Sequence, residues 1–97
     1  MSYLVVETDA MKRISRAARE FGHTPNGRGV TGVEWSNAGG SFATDDTIAY
    51  TFRMKGDTIT GWSNYKYLTH HKQFLDEFAT FITAKTGIAF PSKDAYD

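Results

Sequence analysis

The chain has 97 residues, 40% of them hydrophobic and 14% aromatic, which is enough to close one core and too few for a second domain. Eleven Lys and Arg balance eleven Asp and Glu, so no net charge draws the whole molecule toward nucleic acid or an anionic membrane. The absence of cysteine excludes disulfides, thiolate metal sites and thiol nucleophiles, and it suits a reducing compartment.

The opening M-S-Y-L-V-V-E-T has no cationic region followed by a long apolar run, and no stretch approaches the ~20 apolar residues of a membrane span. The expected location is the cytoplasm, with no membrane partner. Residues 3–7 are apolar and β-branched, which predicts a buried strand. Thr8 or Asp9 then caps a helix in which Met11, Ile14, Ala17, Ala18 and Phe21 share an arc of about 120°. Gly22 ends it. The opposite arc holds Lys12, Arg13, Arg16 and Arg19, with Glu20 spaced to pair with Arg16. The following H-T-P-N-G-R-G, residues 23–29, has the order of residues that a tight turn needs.

Residues 30–35 predict a short strand, and S-N-A-G-G-S-F-A-T-D-D, residues 36–46, reads as a flexible connection anchored by Phe42. The strongest local signal comes next. T-I-A-Y-T-F-R-M, residues 47–54, alternates apolar and polar, and K-G-D separates it from T-I-T-G-W-S-N-Y-K-Y, residues 58–67. A turn with Gly56 first and Asp57 second closes this hairpin in the type II′ form. That turn pairs Met54 with Ile59, Phe52 with Gly61, Tyr50 with Ser63 and Ile48 with Tyr65 on the core face. Arg53/Thr60, Thr51/Trp62, Ala49/Asn64 and Thr47/Lys66 then lie on the solvent face.

Thr69 is placed to cap a final helix whose Phe74, Leu75, Phe78, Phe81 and Ile82 follow helical spacing, and Gly87 stops it. The tail docks through Phe90 and frays over residues 91–97. These elements predict a single small α+β domain spanning residues 1–97, ordered β-α-β-β-β-α. Its antiparallel or mixed four-stranded sheet carries both helices on one face and leaves the other face open.

Two surfaces follow as candidate binding sites. On the open sheet face Trp62, flanked by Arg53, Asn64 and Lys66, offers an aromatic anchor with cations, as protein interfaces use. On the first helix Lys12, Arg13, Arg16 and Arg19, extended by Arg28 in the adjoining loop, could contact phosphates. Either surface also has a purely structural explanation, as a covered tryptophan or as the solvated side of a helix.

Catalytic and metal constellations are weak. His70 and His71 are adjacent, and so lack the i, i+4 spacing that sets two imidazoles on one ion; His23 and Asp45 or Asp46 would have to converge on them. Ser41 in A-G-G-S-F lacks the spacing of a nucleophile elbow, and N-G-R-G lacks the lysine of a phosphate loop. No cofactor or metal is expected.

From residue 9 onward the order α-β-β-β-α resembles that of double-stranded-RNA-binding domains. Where that family has a G-P-x-H loop and a K-K-x-A-K start to its last helix, this chain has Y-L-T-H-H-K-Q-F. The M-S-Y-L opening and the F-G-H helix end are similar to a family of small plastid and cyanobacterial proteins of unknown function, over about a quarter of the chain. The residues thus predict a non-enzymatic binding module whose partner is another protein; the further expectation of an adaptor, or of a phage or mobile-element accessory or inhibitor protein, is a general one for small proteins of this kind and rests on no particular residue. Nucleic-acid binding through the first helix is the alternative, and self-association through the open sheet is a further expectation.

Overall fold

The computed structural model describes residues 5–63 and 71–91. Its elements run α1 (Asp9–Gly22), β1 (Glu34–Trp35), β2 (Gly39–Ala43), β3 (Ala49–Lys55), β4 (Thr58–Trp62) and α2 (Lys72–Thr86). The strands form one antiparallel meander in chain order, and α1 packs beside α2. The α+β class and, among the described residues, the two helices and the four strands agree with the residue patterns. One strand comes from a different place. Residues 5–8 belong to no strand and residues 3 and 4 lie outside the described range; the fourth strand is β2, within the stretch read as a flexible connection. Four strands rather than three therefore lie between the helices, which departs from the double-stranded-RNA-binding order.

α1 begins at Thr8, whose Oγ1 accepts the Met11 N–H at 3.2 Å while Met11 Sδ accepts the Thr8 N–H at 3.3 Å. This reciprocal cap satisfies two of the N–H groups that a helix start leaves without partners. Ala10, Ile14, Ala17, Ala18 and Phe21 form the buried stripe. The helix stops at Gly22 because the chain folds back on it: a Cβ there would stand 1.7 Å from the Val30 carbonyl oxygen.

Phe21 joins the helices through ring contacts with Phe74, Phe78 and Phe81 at centroid distances of 5.8, 5.6 and 5.3 Å. Phe78 then stacks on Phe42 of β2 at 4.2 Å, which ties α2 to the sheet. Tyr50, Phe52 and Ile59 complete the sheet side of this core. Burying each such side chain contributes roughly 1.5–3 kcal/mol, so the aromatic cluster dominates the stabilisation.

β2 reads as a loop because its glycines declare no face, yet they are packed. A Cβ on Gly40 would lie 2.5 Å from Phe52 Cζ and 2.7 Å from Val33 Cγ1. The bare backbone is what lets the Phe52 ring lie against the strand. A turn from Ser36 to Gly39 joins β1 to β2, with the Ser36 N–H donating to the Gly39 carbonyl at 2.8 Å.

The β3–β4 hairpin starts as its turn chemistry predicts. Lys55 faces Thr58 and Met54 faces Ile59, and within the turn Gly56 alone has positive φ, at 62°. The register then shifts between Arg53 and Met54, so Arg53 faces Gly61 and Phe52 faces Trp62. Thr60 is the extra residue of a β-bulge. One inserted residue turns every later side chain to the other face. Trp62, expected opposite Thr51 on the solvent side, is therefore in the core at 1% exposure. Its ring meets Phe42, Phe52 and Phe90 at 6.3, 6.2 and 4.9 Å, and its Nε1–H donates to the Pro91 carbonyl at 3.2 Å.

α2 ends at Gly87, in the left-handed conformation with φ 76°, whose N–H donates to the Thr83 carbonyl at 2.8 Å. The tail then returns. Phe90 packs on Phe52, Trp62 and Phe78, and its N–H donates to Thr83 Oγ1 at 3.2 Å. The Thr69 cap, the pairings of residues 64–66 and the tail beyond Pro91 lie outside the described residues.

Candidate functional site

The cations of α1 divide into two groups once their neighbours are known. Arg13 turns toward α2, where its Nη2 donates to the Thr86 carbonyl. A cation there meets the negative end of the α2 dipole and satisfies an orphan carbonyl, so Arg13 holds the two helices together. Lys12, Arg16 and Arg19 are exposed, and none makes an ion pair among the described residues. Their i, i+4, i+7 spacing sets them on one side of the helix over about 10 Å.

Glu20 does not neutralise that row. Its Oε1 lies 3.5 Å from Lys85 Nζ on α2, so the pairing expected with Arg16 is replaced by one between helices. The remaining acid of the helix, Asp9, stands in the first turn, where it complements the positive end of the dipole. The row of three thus keeps its charge.

Arg28 does not extend this row. Its guanidinium pairs with the Asp46 carboxylate and lies 5.2 Å from the centre of the Phe74 ring. Arg28 adopts φ 50°, and its carbonyl accepts the Asp45 N–H at 2.8 Å, which fastens the loop after α1 to the β2–β3 connection. The Thr44 hydroxyl donates to Asp46 as well, and this bond, with the Arg28 charge, holds the Asp46 carboxyl below the usual carboxylate range. Its folded pKa is depressed, so its contribution is present at neutral pH and is lost as the pH falls through and below that range.

Beside this pair lies a second polar contact, between the Tyr50 hydroxyl and His71 Nδ1 at 2.8 Å. It links β3 to the start of α2. Burial raises the Tyr50 pKa, with Asp46 adding to the effect and Arg28 opposing it. His23 is an exposed residue just after α1, and His70 lies outside the described residues. Among the described residues no three His, Asp or Glu side chains gather around one point.

Of the predicted protein-binding set, the two described residues lie on opposite sides of the sheet. Trp62 is in the core, Arg53 is exposed on the outer sheet face, and Asn64 and Lys66 lie outside the described residues. Ser41, Ala43, Ala49 and Thr51 share the outer face with Arg53, so small side chains lie between the charged Arg53, Lys55 and Glu34 on that face. Sequence reasoning missed a different feature, a hollow of about 540 Å³ between the end of α1 and the outward flank of α2. Its one legible signal was that α2 carries Thr80 and Ala84 where a solvated helix face would carry charges.

Comparison of the chain with protein-family models, with curated proteins and with solved structures finds no match. Among the described residues, no helix is long and apolar enough to cross a membrane.

Proposed function

We propose that the chain is a non-enzymatic binding module of the cytoplasm, and that the row Lys12, Arg16 and Arg19 is its working surface. The ligand is the phosphate backbone of a nucleic acid. The observation that carries this reading is the direction of Glu20, which turns to Lys85 and leaves the row without an ion pair among the described residues. Three cations over about 10 Å of helix have the reach to follow two or three successive phosphates, and each contact releases counterions. The polar groups that resemble catalytic parts already have structural tasks: Asp46 with Arg28 and Thr44, and His71 with Tyr50.

The prediction is weak, sequence-independent binding that fades with salt. For three phosphate contacts the affinity should fall with a log–log slope of about −2 on single strands and nearer −3 on duplexes. Changing Lys12, Arg16 and Arg19 together to Glu should abolish it, while Arg13 is left in place because it braces α2. A protein partner remains the second reading, favoured by the small side chains around Arg53 on the outer sheet face. That reading no longer includes Trp62.

A further inference from the structure

The hollow between the helices has a character unlike the cation row, and none of Lys12, Arg16 or Arg19 lines it. Phe21, Phe81 and Ala84 provide its apolar side, and Asn26 closes it from the loop after α1. Phe81 is only half-buried, although its ring partner Phe21 lies in the core. Two carboxylates, Asp76 and Glu77, stand on the rim. Asp76 is shared with Lys72 at 2.5 Å, whereas Glu77 has no ion pair among the described residues. Lys85 lies 5.5 Å from the centre of the Phe81 ring and is already paired with Glu20.

An apolar floor, with a carboxylate at its edge that has no ion pair among the described residues, fits one kind of occupant best. We propose that this groove receives a segment of a partner protein that sets an apolar side chain against Phe81 and Ala84 and a lysine or arginine beside Glu77. A cation with an alkyl stem satisfies both halves of the site, because the stem lies on the apolar floor while the head reaches the carboxylate. Thr80 and Ala84, one turn apart on α2, keep that wall low and let the incoming backbone approach closely. This surface is separate from the phosphate-binding row, so the two sites can be tested independently.

The test uses a fluorescein-labelled amphipathic peptide of leucine and lysine, and its counterpart in which every lysine is glutamate. Binding to the full chain is followed by anisotropy and located by amide NMR shifts. The leucine–lysine peptide should shift amides around Asn26 and Asp76–Ala84 and should bind at least tenfold more tightly than its acidic counterpart. Glu77→Lys and Ala84→Arg should each weaken it about tenfold or more, and the milder Glu77→Gln should weaken it less. The triple variant of the α1 row should bind it as the native chain does. Circular dichroism establishes that each variant is folded. No binding, equal binding of both peptides, shifts elsewhere on the molecule, or indifference to Glu77→Lys would each overturn the proposal. So would sedimentation showing a dimer that Ala84→Arg dissolves, since the groove would then belong to a second copy of the chain.

Discussion

Trp62 illustrates how far one residue's role depends on its register. The same indole that would serve as a surface anchor opposite Thr51 is a core residue opposite Phe52. Its Nε1–H is satisfied by the Pro91 carbonyl, so the tail is held by a hydrogen bond as well as by Phe90. Replacing Trp62 by Ala should therefore cost roughly 3–5 kcal/mol in urea unfolding, the range for removing a buried aromatic. A cost below ~1 kcal/mol would return the side chain to the surface. Tyr50 permits a test with a definite sign. Its folded pKa is raised by burial, so the unfolded chain ionises first and native stability declines as the pH climbs through and above the ordinary tyrosine value of ~10. Tyr50→Phe loses the contact with His71, about 1 kcal/mol near neutrality, but it is spared that part of the alkaline loss. The stability gap between the two proteins should narrow with rising pH in urea melts; parallel curves would contradict the assignment.

The strands and helices differ in how legible they were. α1, the hairpin turn at Gly56 and the stop of α2 at Gly87 each rest on local chemistry, a cap or a positive φ, and local chemistry is written in adjacent residues. β2 and the bulge at Thr60 rest on what lies across the sheet. Gly39 and Gly40 look flexible in isolation, and only what lies against them explains why side chains are absent there: the β3 backbone at Phe52 for Gly39, and the Phe52 ring with Val33 for Gly40. Likewise nothing in T-I-T-G-W announces an extra residue, although Gly61 beside it is the kind of residue that marks such a site. Gly40→Ala should consequently destabilise the fold by about 1–3 kcal/mol, through collision with Phe52 and Val33. Gly56→Ala meets nothing within 4 Å and should cost only the backbone strain of its positive φ, about 1 kcal/mol. A Gly40→Ala cost below about 1 kcal/mol would mean that β2 is not packed against Phe52 as described.

Across the molecule the charges are sorted although they sum to zero. Arg13 and Arg28 are consumed by structure, at the end of α2 and at Asp46, and Glu20 is drawn across to Lys85. What remains on the outside of α1 is Lys12, Arg16 and Arg19. The cation count was legible in the sequence, but which cations remained available was not, because their neutralising partners lie far along the chain. The hollow beside α2 was hidden for the same reason, being shaped by Phe21 and Phe81 from separate helices. The decisive measurement is fluorescence anisotropy with labelled single- and double-stranded DNA and RNA, at low and near-physiological salt. It compares the native chain with the variant carrying Lys12→Glu, Arg16→Glu and Arg19→Glu. Binding that appears at low salt, weakens steeply as salt rises and vanishes in the variant is the predicted result. Native protein that fails to bind at low salt, or a variant that binds equally well, would contradict it and leave the row as the solvated side of a helix.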